Sequence, residues 1–270
     1  MPQPAGRNLS LSPCRRFMGD LAHFAAKVPA AVVQRRMDLA AVLAARRAAG
    51  PRPGWAAIFA KAFAFVAAGR PELRRACLRL LWPHLYEHPT SVAAIAVERR
   101  FEDEDAVFFA RLRSPERTGL LELDARLRRC REEPLRRLGA FRRVLRISRL
   151  PRPLRRLLWG TVLGARGRWR ATCLGTFGVA TVGGLGAALP RLLSPLPVTL
   201  HYGAIDADGK VDVWLTFDQR VLDAAPAARA LEELERVLNG QILIELRYFE
   251  ALGAAWATSR RAAGRKPAVK

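Results

Sequence analysis

Apolar positions along the chain follow two periods, and the changes between them mark out the elements. From Cys14 to Pro29 the apolar residues recur at helical spacing, with Phe17, Leu21 and Phe24 on one stripe, so CRRFMGDLAHFAAKVP predicts a helix. AAVVQRRMDL (Ala30–Leu39) begins strand-like, and a helix is predicted from Asp38, a residue able to cap it. PRPG (Pro51–Gly54) is a breaker. WAAIFAKAFAFVAAG (Trp55–Gly69) is apolar almost all round, interrupted by Lys61 and too short to span a bilayer, so it reads as a buried helix. SVAAIAVERRF (Ser91–Phe101) and AVFFARL (Ala106–Leu112), separated by EDED, predict a hairpin with an acidic turn, and TGLLELDARLRRCREE predicts a helix ending at Pro134.

The tightest local signal lies near the other end. TLHYGAI (Thr199–Ile205) and VDVWLTF (Val211–Phe217) flank DADGK, and an Asp-Gly turn between apolar runs is a strong hairpin signature. DQRVLDAA (Asp218–Ala225) follows. Pro226 suits a helix start, and apolar spacing predicts a helix that Gly240 stops.

Composition changes the picture in two places. The 270 residues are half hydrophobic, so a full core can be buried, yet the formal net charge is +22. Such a field favours phosphate-bearing partners: anionic lipid, coenzyme A or an acyl carrier's phosphopantetheine. With no nucleic-acid-binding signature, nucleic acid is not the expected partner. Between Leu135 and Ala171 there are twelve arginines and no acidic residue. Leu135, Leu138, Phe141, Leu145 and Ile147 form an apolar stripe there, and LRRLLWGTVLG repeats the theme after Pro151–Pro153. Two readings stand side by side: an interfacial helix in which Arg142, Arg143, Arg146, Arg155, Arg156 and Trp159 touch an anionic membrane, or a basic outer layer over the core or an anion channel.

Other candidate chemistry is thin. Cys14, Cys77, Cys130 and Cys173 are scattered, which fits a reduced cytoplasmic protein, and no metal site is expected. His84 and His88 lie in the aromatic, proline-rich WPHLYEHP, read as a loop packed by its own rings. CLGTFGVATVGGLG (Cys173–Gly186) holds too many glycines for a helix and is poor for an interior strand; it suggests close backbone approach beside a ligand. It is not a P-loop, since no Gly-Lys-Ser/Thr follows.

Taken in order, several of these segments resemble one family. DQRVLDA (Asp218–Ala224) resembles the DHRxxDG signature of dihydrolipoamide acyltransferase catalytic domains, relatives of chloramphenicol acetyltransferase. GTFGVATVG (Gly175–Gly183) resembles the family's GTFTxSNxG, the opening helix its RRxIAxxM element, and Arg70–Leu73 its PELN element. The resemblance implies a two-layer α/β sandwich assembled as a trimer, with active sites between subunits reached by coenzyme A from one side and the acceptor from the other. Its histidine would be the general base, and its serine would steady the tetrahedral intermediate.

This chain departs at both positions. Gln219 stands for the histidine and Ala180 for the serine, followed by Thr181. Glutamine has no titrating base near neutral pH, and alanine offers no oxyanion hydrogen bond. Thr181 should point away from Ala180, and matching the hairpin arms sets His201 beside Trp214, several ångströms from Gln219. Asp218, Arg220 and Asp223 are retained, with Asp218 and Arg220 expected to fix the corner by pairing, Arg15 or Arg16 being candidate partners.

The expected organisation is a flexible leader (1–13), an acyltransferase-like domain (14–240) carrying the basic insert 135–171, and a C-terminal helix and basic tail (241–270). No lipoyl domain or Ala/Pro linker precedes the domain, so a free-standing protein is expected, cytoplasmic or peripheral on the inner face of the membrane. Three functions stay open. One is a catalytically degenerate fold that binds coenzyme A or phosphopantetheine thioesters as a partner subunit, in a homotrimer or a mixed trimer with an active relative. The second is an active acyltransferase, acting on a small or lipid-like hydroxyl, amine or thiol. The third is a structural module on membrane or nucleic acid. No tightly bound cofactor is expected in any of them, and an acyl carrier protein is a further candidate partner.

Overall fold

In the computed structural model, residues 6–79, 82–164, 167–181 and 192–252 are described. One six-stranded sheet organises them, in the order β1 (Ala30–Asp38), β8 (Lys210–Asp218), β7 (Val198–Tyr202), β6 (Phe177–Thr181), β4 (Val92–Phe101), β5 (Glu104–Arg113). β7, β6 and β4 run parallel, and antiparallel pairs close both sides. Both expected hairpins form. In the β7–β8 turn Gly209 takes φ +85, and a Cβ there would sit 2.5 Å from Ala40 Cα, so glycine is required twice over.

One face of the sheet carries the main core. Helix α3 (Trp55–Gly69) lies on it with α4 (Leu120–Glu132) and α8 (Ala224–Val237) alongside. Phe59 stacks on Tyr202 at 4.1 Å and Phe63 meets Phe177 at 4.9 Å. The single cation of α3, Lys61, is buried and neutralised by Glu245 at 2.6 Å. Helix α2 (Ala40–Ala48) has Leu39 and not Asp38 at its N-cap; Asp38 ends β1, and its Oδ1 accepts from the Ala40 N–H at 3.0 Å.

The other face is partly covered by α1 (Pro13–Ala25), α5 (Gly139–Ser148) and α6 (Arg152–Gly164), with α7 (Gly167–Leu174) leading into β6. α5 packs against β5 through Phe141, which stacks on Phe108 at 4.8 Å. The α/β sandwich is therefore present, and the arginine-rich insert adds a helical cover to it.

Three local expectations are corrected. Gly240 does not stop the last helix, because α8 passes through a π turn (Leu238–Ile242) and helix continues over 243–252. WPHLYEHP is not all loop: β3 (His84–Glu87) pairs with β2 (Arg75–Leu78) as a separate two-stranded ribbon. The glycine-containing segment supplies β6, one of the two central strands, because only Gly178 falls inside it; residues 182–186 lie outside the described residues.

Candidate functional site

The corner after β8 is built by its own residues. Asp218, 2% exposed, accepts from Arg220 Nε at 2.8 Å, Nη2 at 2.7 Å and the Arg220 N–H at 3.0 Å. This bidentate pair raises the Arg220 pKa, through the Asp218 hydrogen bond first. Arg15 and Arg16 are not at the corner: Arg15 pairs with Glu104 at 3.3 Å and Arg16 Nε donates to the Leu11 carbonyl. The carboxylate is already saturated by a neighbour two residues away. Arg170 lies behind the corner, held by the Pro195 and Leu163 carbonyls at 2.7 and 3.1 Å, and burial pushes its pKa down to about 10.

Gln219 and Asp223 are both exposed; the Gln219 N–H donates to the Pro29 carbonyl at 3.0 Å. The register separates them from Ala180. Ala180 pairs with His201, and His201 with Trp214, so Gln219 stands two strands across and five residues along. At ordinary strand spacings that is roughly 15–20 Å. Within one chain the two positions cannot touch a common reacting atom.

What Ala180 does share is a cavity. Over the covered face of the sheet lies a space of about 410 Å³, floored by Ala94, Ala96, Gly178, Ala180, Thr199 and His201. Its walls are apolar: Phe17 and Leu21 of α1, Val144 and Ile147 of α5, Trp159 of α6. The space exists because alternate residues of β4 and β6 are alanine or glycine, so the helices rest on the larger side chains around it. Gly178 also admits Thr199, whose Cγ2 would be 2.9 Å from an added Cβ. His201 Nε2 lies 2.9 Å from Thr216 Oγ1, and its ring stacks on Trp214 at 5.7 Å. Glu98, Arg143, Leu158, Cys173, Thr181 and Leu193 line the cavity and are exposed, which marks its mouth.

The remaining candidates divide. Thr181 Oγ1 donates to the Tyr202 carbonyl at 3.0 Å, and Thr176 Oγ1 is tied to the Val92 backbone. Arg142, Arg143 and Arg146 are exposed on α5. Arg155 and Trp159 are not surface groups: Arg155 Nε donates to Asp20 at 2.6 Å in the interior, and Trp159 packs on Phe17 and Phe24 at 5.8 and 5.9 Å. Arg156 also reaches Asp20, at 3.2 Å. The stripe of α5 read as a membrane face turns inward as well, since Phe141 and Leu145 are buried. No cluster of metal-ligand side chains occurs among the described residues.

The sheet order, the buried central helix and the cavity face can be compared with solved structures. A dihydrolipoamide acetyltransferase of Azotobacter vinelandii superposes with TM-score 0.63 at 18% identity, over 90% of this chain and 99% of that one. A catalytic core of a 2-oxoacid dehydrogenase complex from Thermoplasma acidophilum gives 0.62 at 17%, over 87% and 99%. A probable dihydrolipoamide acetyltransferase of Listeria monocytogenes gives 0.60 at 15%, over 87% and 94%. This is the dihydrolipoamide acyltransferase fold. No family model matches the chain, and no curated protein sequence does. In the Azotobacter enzyme a serine, a histidine and an asparagine have been investigated for their catalytic role, the last two four positions apart. In this example of the acyltransferase fold, the sequence reading missed the cavity. Its signal was the small residue at every second position of VAAIAV and FGVAT.

Proposed function

We propose that this protein uses the acyltransferase fold to bind an acyl chain, carried on coenzyme A or phosphopantetheine, without transferring it. One observation carries the reading: the acyl-sized apolar cavity has Ala180, which lacks a hydroxyl, on its floor, and the exposed corner presents Gln219, which lacks a titrating base. Neither family position therefore brings a hydroxyl or a base to a bound thioester, and loss of one oxyanion donor alone costs about 10²–10³ in turnover. The volume falls within the usual range of small-ligand sites, and the few polar groups at its mouth suit a chain entering tail first.

The exposure of Gln219 and Asp223 supports an assembly in which that corner faces another subunit, as a homotrimer or a mixed trimer with an active relative that retains the histidine. The spacing of four between Gln219 and Asp223 equals that of the histidine and asparagine in the Azotobacter enzyme. The basic surface favours anionic partners, an acyl carrier protein or the inner face of the membrane, and a cytoplasmic setting. Calorimetric titration with acyl-coenzyme A of increasing chain length tests the binding. Affinity should rise by up to about 0.8 kcal/mol per added methylene until the cavity is full, and Ala96→Trp should abolish that dependence. Light scattering tests the assembly, a stable monomer contradicting it.

A second reading is favoured by one observation. His201 stands in register with Ala180 on the cavity floor, so an imidazole from a different strand lines the cavity that would hold a bound acyl group. An active enzyme of this kind would lose turnover on His201→Gln and not on Gln219→Ala.

A further inference from the structure

α6 has an apolar face that is left exposed among the described residues. Its buried side carries Arg155 and Trp159, tied to α1 through Asp20 and the aromatic cluster. On the opposite side Leu154, Leu157 and Leu158 stand at helical spacing and are 43%, 63% and 36% exposed. Arg149, just before α6, and Arg152, its first residue, are exposed around the N-terminal end of the helix. α7, in contact with α6, adds exposed Arg168 and Trp169, the latter 52% exposed. Leu158 belongs both to this surface and to the mouth of the cavity, which exposed Leu193 also lines.

Charge decides what fits it. No acidic residue occurs from Leu135 to Ala171, and the chain's formal charge is +22. A second copy would bring the same arginines together, and like charges in a closing interface oppose it. An anionic bilayer instead attracts them, accepts the leucines among its acyl chains and suits tryptophan and arginine at the headgroup level.

We infer that the leucine face of α6 docks the protein on a membrane carrying anionic phospholipid and holds the cavity mouth against it, so that an acyl chain enters from the bilayer. The docking stands on the face itself; only the entry of a chain rests on the acyl-binding reading above. The depth is shallow, since no described helix is long and apolar enough to cross a membrane.

The test is flotation of the full chain with vesicles of phosphatidylcholine alone or with phosphatidylserine at 30 mol% in the same lipid (~30% anionic, enough for a negative surface potential). Wild type should float with the anionic vesicles and be released by salt. Leu154→Glu with Leu157→Glu should cut partitioning about tenfold or more by removing buried apolar area. Arg149→Gln with Arg152→Gln should cut it by about fivefold per charge lost. These are surface positions, and a thermal melt of each variant checks that it is folded. Equal flotation on neutral vesicles, or unaltered flotation of the leucine variant, overturns the docking. So does a fall in oligomer mass of the leucine variant without loss of flotation, which would assign the face to a second copy. Titration of a water-soluble fluorescent acyl probe separates the two claims. Probe binding without flotation sinks only the docking, and flotation without probe binding sinks only the cavity reading.

Discussion

Ala180 and His201 lie side by side in register on the parallel strands β6 and β7, while Gln219, at the position where a base is expected, sits outside the cavity they floor. The two positions that carry the family's chemistry are thus split between the floor of an apolar cavity and an exposed corner.

The corner should be stability-bearing whether or not it meets a partner. Asp218 is buried and paired bidentately with Arg220, so Asp218→Ala leaves a cation without its partner and Asp218→Asn keeps part of the hydrogen bonding. Breaking a buried pair costs about 3–5 kcal/mol, discounted here because Arg220 is partly exposed; about 2 kcal/mol is expected for Asp218→Ala in urea denaturation, and less for Asp218→Asn.

Asp20 is the latch of the helical cover. It accepts from Arg155 at 2.6 Å and Arg156 at 3.2 Å, and no other carboxylate pairs with α6 among the described residues. Asp20→Ala should loosen α6 first. Hydrogen exchange should show lost protection in 152–164 while α3 stays protected, and acyl binding should weaken with it.

The pH dependence has a defined sign. His88 is buried, and burial together with Arg170 and Arg74 pushes its pKa down to about 4 from the ordinary 6.5. The unfolded chain therefore takes up a proton that the folded chain refuses, so stability is full above pH 6.5 and is lost as pH falls toward 4. The loss approaches roughly 3 kcal/mol at its limit. Melting curves between pH 7 and 4.5 should fall more steeply for wild type than for His88→Gln.

The cavity mouth carries its own reporter. Cys173 is exposed there, whereas Cys14 is buried with its thiol pushed up to about 11 by burial and then by Glu104. A maleimide should label Cys173 first, and a bound long-chain acyl ligand should slow that labelling without changing the labelling of Cys77. Equal rates with and without ligand would place the chain elsewhere.

Much of the fold was legible because its elements are locally determined. The Asp208–Gly209 turn, the apolar helix around Phe59 and Phe63, and the strand-like runs SVAAIAVERRF and AVFFARL each point one way, and each formed. The ordered motifs then carried the family resemblance, which the fold bears out. What the sequence did not disclose came from packing across the chain. Helical periodicity gave the α5 stripe a face but not a partner, and that partner is β5 rather than a membrane. Spacing could not show that Asp20, more than a hundred residues away, would bury Arg155. The cavity was missed for the same reason: alanines at 94, 96 and 180 become a space only when β4 and β6 are neighbours.

The most direct test of binding without transfer is thiol release from a panel of acyl-coenzyme A donors, run beside calorimetric titration of the same donors. Wild type should bind with affinity that grows with chain length and release no thiol above background. Gln219→His with Ala180→Ser should gain more than the product of the two single variants if both act on one intermediate. Robust turnover by wild type, persisting in Gln219→Ala, would contradict the account.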